Sequence, residues 1–128
     1  MGEIIEIKHA KEGRYLMIDG EPCKVVSIQT SAPGKHGHLK VRLVGVGVFD
    51  NKKREMLAPG HAAVEVPLIE KKVAQVISFM GDHVQIMDME TFETSDIPVP
   101  EDMKGTFVEG DQVNYWEIAG RRMIVSRK

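Results

Sequence analysis

The residues best suited to chemistry lie in one stretch, Ser31-Ala32-Pro33-Gly34-Lys35-His36-Gly37-His38-Leu39-Lys40. Pro33 presets φ for a turn, and Gly34 and Gly37 accept positive φ without steric cost. Lys35, between the two glycines, is expected at the apex with nothing bulky beside it. An amine presented this way can contact phosphate or serve as a target for modification, and a plain solvated turn could have the same composition. Other chemistries are poorly served. Gly34-Lys35 is not a nucleotide-binding P-loop: Gln29 stands where the first glycine is required, and His36 where a hydroxyl must hold magnesium. His36 and His38, with no cysteine near them and no carboxylate between, make a poor metal site, and His9, His61 and His83 are scattered. No Ser/His/Asp arrangement is legible, and Cys23 alone allows no thiol relay. The residues predict no enzyme and no metal centre.

The flanking segments explain how such an apex is held. Lys24–Thr30 before it and Leu39–Val46 after it alternate apolar and polar residues, so the stretch reads as the tip of a β-hairpin. The rest of the first half is also β. Ile4, Ile5 and Ile7 open it, and Tyr15–Ile18 joins Pro22–Ile28 across Asp19-Gly20, a strong hairpin signal. Leu39–Val48 sets Val41 and Leu43 against Lys40 and Arg42, predicting one buried and one wet face. Gly45 and Gly47 predict a bulge or bend. Asp50-Asn51-Lys52 is a turn, Met56-Leu57 leads to Pro59-Gly60, and Ala62–Val66 is a last short strand. This pattern predicts a small SH3-like barrel over 1–69.

Pro67 and Glu70-Lys71-Lys72 mark a hand-over to a second domain, 70–128. Val73–Phe79, His83–Met87, Thr91–Ile97, Gln112–Ile118 and Met123–Ser126 read as strands, with turns at Met80-Gly81-Asp82 and Gly120-Arg121. Met103–Gly110 reads as a turn of helix or as loop. Five strands in this length predict an OB-fold barrel, a fold used for single-stranded nucleic acid. Fold alone does not establish that use. Phe79, Phe92, Phe107, Tyr115 and Trp116 are expected to be core residues for the most part.

A net charge of −2 excludes a strongly basic nucleic-acid protein, but the charges are uneven. Residues 1–70 carry ten Lys/Arg against nine Asp/Glu, and residues 71–128 seven against ten. Between positions 35 and 54, Lys35, Lys40, Arg42, Lys52, Lys53 and Arg54 face only Asp50, a net +5 that suits a phosphate backbone. A sheet edge guarded by lysine against strand pairing would look the same. Cys23 lies among apolar neighbours and is expected to be a small core residue, in keeping with a reducing compartment. No apolar run approaches the roughly 20 residues of a membrane helix, and Glu3 and Glu6 interrupt the first apolar segment. A soluble cytoplasmic protein without membrane contact, and a monomer, is expected.

Gly34-Lys35-His36-Gly37, with Pro33 before it and Lys40 after it, resembles the modification loop of the translation initiation factor 5A family. Val64-Glu65-Val66-Pro67-Leu68-Ile69-Glu70-Lys71-Lys72 is similar to the inter-domain stretch of archaeal members, and the resemblance covers essentially the whole chain. It implies that Lys35 is converted to hypusine or deoxyhypusine with an aminobutyl group from spermidine, transferred by deoxyhypusine synthase. It further implies binding to the ribosome, with the modified side chain near the acceptor end of peptidyl-tRNA, promoting peptide-bond formation at stalled proline runs. Gly34 and Gly37 would then present the lysine, and Pro33, His36, His38 and Lys40 would meet the synthase or tRNA. Arg42, Lys52, Lys53 and Arg54 would form an RNA-binding basic patch. Leu39, where the family usually has alanine, and Ala32, where archaeal members usually have a basic residue, depart from the pattern. The alternative is a general RNA-binding protein of two barrels with unmodified Lys35, for which affinity falls log-linearly with salt.

Overall fold

The computed structural model describes residues 2–32 and 39–128. The chain divides into two compact units, Met1–Leu68 and Ile69–Lys128, each built almost wholly of antiparallel strands.

The first unit runs β1 (Glu3–Glu6), a 3-10 turn at Ile7–His9, β2 (Tyr15–Ile18), β3 (Glu21–Ser31), β4 (Lys40–Gly47), β5 (Lys53–Pro59) and β6 (Ala63–Val66). Strands β2-β3-β4-β5 form one curled sheet, and β1 pairs with β6. Asp19 and Gly20 both take positive φ (52° and 78°), the geometry that matches a two-residue hairpin to strand twist. The alternation in β4 places Val41 and Leu43 inside and Lys40 and Arg42 outside. Ile7, Leu16, Ile18, Cys23, Val25, Val41, Leu43 and Val64 form the core of this SH3-like barrel. Leu39 packs onto that core, and its carbonyl accepts the Gly60 N–H at 2.7 Å, so the departure at this position is absorbed as packing.

The bulge expected at Gly45 and Gly47 lies on the partner strand. Val25 pairs with Gly45 and Ser27 with Val44, so Val26 is the extra residue. Gly45 answers a different need: a Cβ there would stand 2.8 Å from Ile18 Cδ1 and 3.0 Å from Cys23 Cβ. Its missing side chain lets the sheet fold onto its own core.

The second unit runs β7 (Ile69–Met80), β8 (His83–Asp88), β9 (Thr94–Pro98), a 3-10 turn at Glu101–Met103, β10 (Gln112–Ile118) and β11 (Arg121–Arg127). The sheet order β11-β10-β7-β8-β9 forms the five-stranded OB-fold barrel. Its core joins Ala74, Val76, Val84, Ile86, Ile97, Val113, Tyr115 and Ile124 with Phe107. The 3-10 turn ends at Met103, and the rest of Met103–Gly110 is turn and loop carrying Phe107 into the core. Of the five aromatics expected inside, Phe107 and Tyr115 are buried and Trp116 is half-buried. Phe79 and Phe92 are exposed.

Three of the boundaries that differ from the sequence pattern have a clear physical cause. Glu70-Lys71-Lys72 belongs to β7, because all three pair with Glu117, Trp116 and Tyr115 of β10. The last hairpin turns at Ala119-Gly120, both at positive φ, one residue earlier than Gly120-Arg121. Strand β9 begins at Thr94 and not Thr91, because Asp88 Oδ1 accepts the N–H groups of Glu90 and Thr91 and folds that segment into a turn. Among the described residues no helix is long and apolar enough to cross a membrane.

Candidate modification hairpin and basic face

Strands β3 and β4 pair on either side of the sequence motif. Their pairing runs from Cys23 opposite Gly47 to Ser31 opposite Lys40. Pro33, Gly34, Lys35, His36, Gly37 and His38 lie outside the described residues. Ala32 and Lys40 are exposed on either side.

Two registers define the outer face of the legs and of β5. Ser31, Lys40 and Pro59 form one cross-strand row, Gln29, Arg42 and Leu57 the next, and Ser27, Val44 and Glu55 the third. Arg42 Nη2 donates to Glu55 Oε1 at 3.1 Å, diagonally between rows. Leu57 is 71% exposed opposite Arg42, an apolar residue on this face that is not among the sequence-based candidates. Its signal was present: β5 alternates, so a leucine in step with Lys53 and Glu55 must face solvent.

The basic run in the sequence does not form one cluster. Lys40 pairs with Pro59 and Lys53 with Val46, at opposite ends of the β4–β5 ladder. Six residues of strand separate them, roughly 20 Å at the usual rise. Lys52, in the turn before β5, and Lys53 are exposed at the far end. Arg54 falls on the other parity, in step with the half-buried Met56 and Ala58. It closes on Asp50 through two bonds, Nη1 to Oδ1 at 3.1 Å and Nη2 to Oδ2 at 2.8 Å. Asp50 Oδ1 also accepts the Lys52 N–H at 3.0 Å, so this carboxylate organises the β4–β5 turn. The guanidinium and that N–H hold the Asp50 carboxyl well below the usual carboxylate range, and Asp50 in turn raises Arg54. A fork of this kind satisfies a guanidinium that could otherwise meet phosphate. Gly47 leaves the space: a Cβ there would lie 2.0 Å from Asp50 Oδ1 and 2.8 Å from Arg54 Nη1.

Cys23 is fully buried, and burial pushes its thiol up. Among the described residues no group of three or more His, Cys, Asp or Glu is placed to hold a metal ion.

In the second unit, Lys71 Nζ sits 5.1 Å from the Trp116 ring centroid. Lys72 lies 3.4 Å from Glu70 and 3.8 Å from Glu117. Both lysines line a shallow groove of about 270 Å³ with Val73, Asp88, Met89, Glu90, Gln112 and Lys128. Asp88 forms one wall and is fully engaged, accepting from Tyr115 and from two backbone amides.

Fold and site thus define a two-barrel all-β protein whose first barrel extends a β-hairpin with basic residues along its legs. Residues 4–62 match the family model described as translation initiation factor 5A-like, N-terminal. Residues 68–128 match the model described as eukaryotic elongation factor 5A hypusine, DNA-binding OB fold. The chain is 49% identical over 126 residues to translation initiation factor 5A of Methanosphaera stadtmanae, covering 98% of this chain and 96% of that protein. It is 52% identical over 126 residues to the Methanopyrus kandleri factor, covering 97% and 93%. A solved structure of the Methanococcus jannaschii factor superposes with a TM-score of 0.91 at 44% identity, covering 98% of this chain and 94% of that one. A Naegleria fowleri family member superposes at 0.79 with 30% identity, covering 99% and 98%. The chain belongs to the translation initiation factor 5A family, a family of translation factors.

Proposed function

We propose that this protein carries hypusine or deoxyhypusine at Lys35 and uses it on the ribosome to promote peptide-bond formation where proline runs stall synthesis. The observation that carries the reading is Gly34-Lys35-His36-Gly37 between β3 and β4, in a chain similar to factors of this family over nearly its full length. Deoxyhypusine synthase supplies the aminobutyl group from spermidine, so the protein is a substrate of that enzyme and not itself an enzyme. The extension adds a second amine and about 5–6 Å of reach at standard bond lengths. Domain 1–69 presents the side chain toward the acceptor end of peptidyl-tRNA, and domain 70–128 is the accompanying OB-fold domain.

The chemistry asked of the lysine is positioning. A cationic side chain against the tRNA backbone restricts a poorly reactive substrate, and orientation can be worth several kcal/mol of barrier. Pro33, Gly34 and Gly37 shape the turn, while His36 and His38 meet the synthase or tRNA by donation or stacking. Lys40 and Arg42 hold phosphate on the legs next to the motif, with Lys52 and Lys53 extending the contact along the outer face. Arg54 supports this face through the turn it clamps. The work takes place in the cytoplasm, and the protein acts as a monomer.

Replacing Lys35 by Arg tests the reading, because arginine keeps the charge and cannot accept the aminobutyl group. The variant is expected to lose all stimulation of proline-run translation in a reconstituted system. An arginine variant that retains it would overturn the proposal.

A further inference from the structure

The second unit is electrically divided. From Val73 to Gly120 it contains ten Asp/Glu, a single lysine (Lys104) and no arginine. Lys71, Lys72, Arg121 and Arg122 gather where the start of β7 and the start of β11 both flank the end of β10. Met80 closes the other end of β7, a strand of twelve residues that begins at Ile69.

Apolar side chains reach solvent along that far end of β7. Ile77, Phe79 and Met80 are 39%, 42% and 45% exposed, and Val108 is 64% exposed. Phe79 pairs with the core residue Val84 and so lies on the opposite face of the strand from Met80, which pairs with His83, while Ile77 is the extra residue of a bulge. The loop before β10 is fastened alongside β7. Gly110 N–H donates to the Val76 carbonyl and Val76 N–H to the Asp111 carbonyl, both at 2.9 Å. The Phe79 ring stacks on Phe107 with centroids 5.5 Å apart, so its inner face is fixed while its outer face stays wet. An aromatic held on one side and open on the other loses little freedom when a partner covers it.

The surrounding charge selects the partner. Lys104 is taken by Glu101 at 3.0 Å, and Arg127 reaches Asp111 at 3.7 Å. Asp82 also acts on Lys104 without forming an ion pair with it, and Asp102 and Glu109 make no ion pair among the described residues. An exposed aromatic on an OB fold invites a nucleobase, but a phosphate backbone laid here would meet these carboxylates with Lys104 and Arg127 already paired. We propose that the surface formed by Phe79 and Phe107–Glu109 docks a cationic protein segment, one that sets apolar side chains on Phe79 and Val108 and lysine or arginine against Asp82 and Glu109. The inference is independent of any modification of Lys35.

The full-length protein, with amides assigned by NMR, is titrated with a short peptide alternating leucine and lysine, and separately with oligouridine RNA. The peptide is expected to shift amides at Ile77–Asp82 and Thr106–Asp111. The double reversal Asp82→Lys/Glu109→Lys should weaken it at least about tenfold, while Glu90→Lys/Glu93→Lys changes it less than about threefold. Equal weakening in the two doubles, shifts spread over the whole unit, or oligouridine moving the same amides would overturn the proposal. So would self-association that covers this face. If the first double fails to fold, Val108→Ser carries the test: a solvent-facing side chain whose removal should weaken the peptide about threefold. Unchanged binding in that variant contradicts the inference.

Discussion

Tyr115 of β10 donates its phenolic hydrogen to Asp88 Oδ2 at the end of β8, inside the second barrel. Asp88 is the buried charged residue of the described core. Burial pushes its carboxyl up, but the phenol and the Thr91 and Glu90 amides outweigh that and leave its pKa at about 2. On Tyr115, burial and then the Asp88 carboxylate hold the phenol far above its usual range.

The pair sets an acid limb on stability. A carboxyl that titrates at about 2 when folded and near 3.8 when unfolded stabilises the protein fully above the unfolded value. That contribution, on the order of 2 kcal/mol, is lost as pH falls from about 4 to about 2. Asp88→Asn should flatten this limb. Tyr115→Phe should move the Asp88 titration upward and cost about 1.5–3 kcal/mol, the usual worth of a hydrogen bond to a charged group. Chemical denaturation across this pH range, with an NMR titration of the Asp88 carboxyl, checks both. A titration unmoved in Tyr115→Phe would show that the phenol is not what depresses it.

Gly45 and Gly47 should fail differently when given a side chain. Gly45→Ala drives a methyl into Ile18 and Cys23 within the first core, and overpacking of this kind costs about 1–3 kcal/mol. Gly47→Ala meets the flexible ends of Asp50 and Arg54 instead. It should open the β4–β5 clamp, release the Lys52 N–H, and leave the core intact. Amide exchange distinguishes them: fast exchange throughout the first sheet for Gly45→Ala, and only at Gly47–Arg54 for Gly47→Ala.

The cations of the hairpin and of β5 should contribute unequally to binding of ribosomal RNA or tRNA. Each phosphate left without its cation lowers the slope of log affinity against log salt by about 0.7–0.9. Lys40→Gln and Lys53→Gln should each lower it by about that amount. Arg54→Gln should lower it less, because Asp50 already takes the guanidinium through both nitrogens. Salt titrations of the three variants decide it, and an Arg54 effect as large as that of Lys53 would contradict the assignment.

Cys23 should resist thiol reagents in the native state. Its side chain is fully buried, and burial raises its pKa, so little thiolate is present or reachable at neutral pH. Labelling should proceed only as fast as the first unit opens, and should become rapid in denaturant.

Most strands are legible because short-range rules fix them. Asp19-Gly20 marks its turn, and the alternation of Lys40, Val41, Arg42 and Leu43 marks both face and period. The sequence misleads where a contact between distant residues decides the outcome. Glu70-Lys71-Lys72 is polar enough to pass for a linker and becomes strand only because Trp116 and Glu117 lie across from it. Arg54 counts as one more cation in a run, and only the returning β4–β5 turn reveals that Asp50 holds it. The Asp88–Tyr115 bond spans 27 residues, and no local pattern announces it. Phe79 and Phe92 read as core by residue type, yet Phe92 sits at positive φ in the turn that Asp88 organises. The motif of the candidate site itself is the most legible feature of all, since Gly34-Lys35-His36-Gly37 is local in sequence.

The most direct test of the central claim is the mass of the Lys35 peptide from protein isolated from its native cells. The account predicts a peptide heavier by one aminobutyl unit, with or without an added hydroxyl, and fragmentation that places the addition on Lys35. Unmodified lysine throughout would contradict it and leave an RNA-binding protein of two barrels that shares the family's fold without its modification.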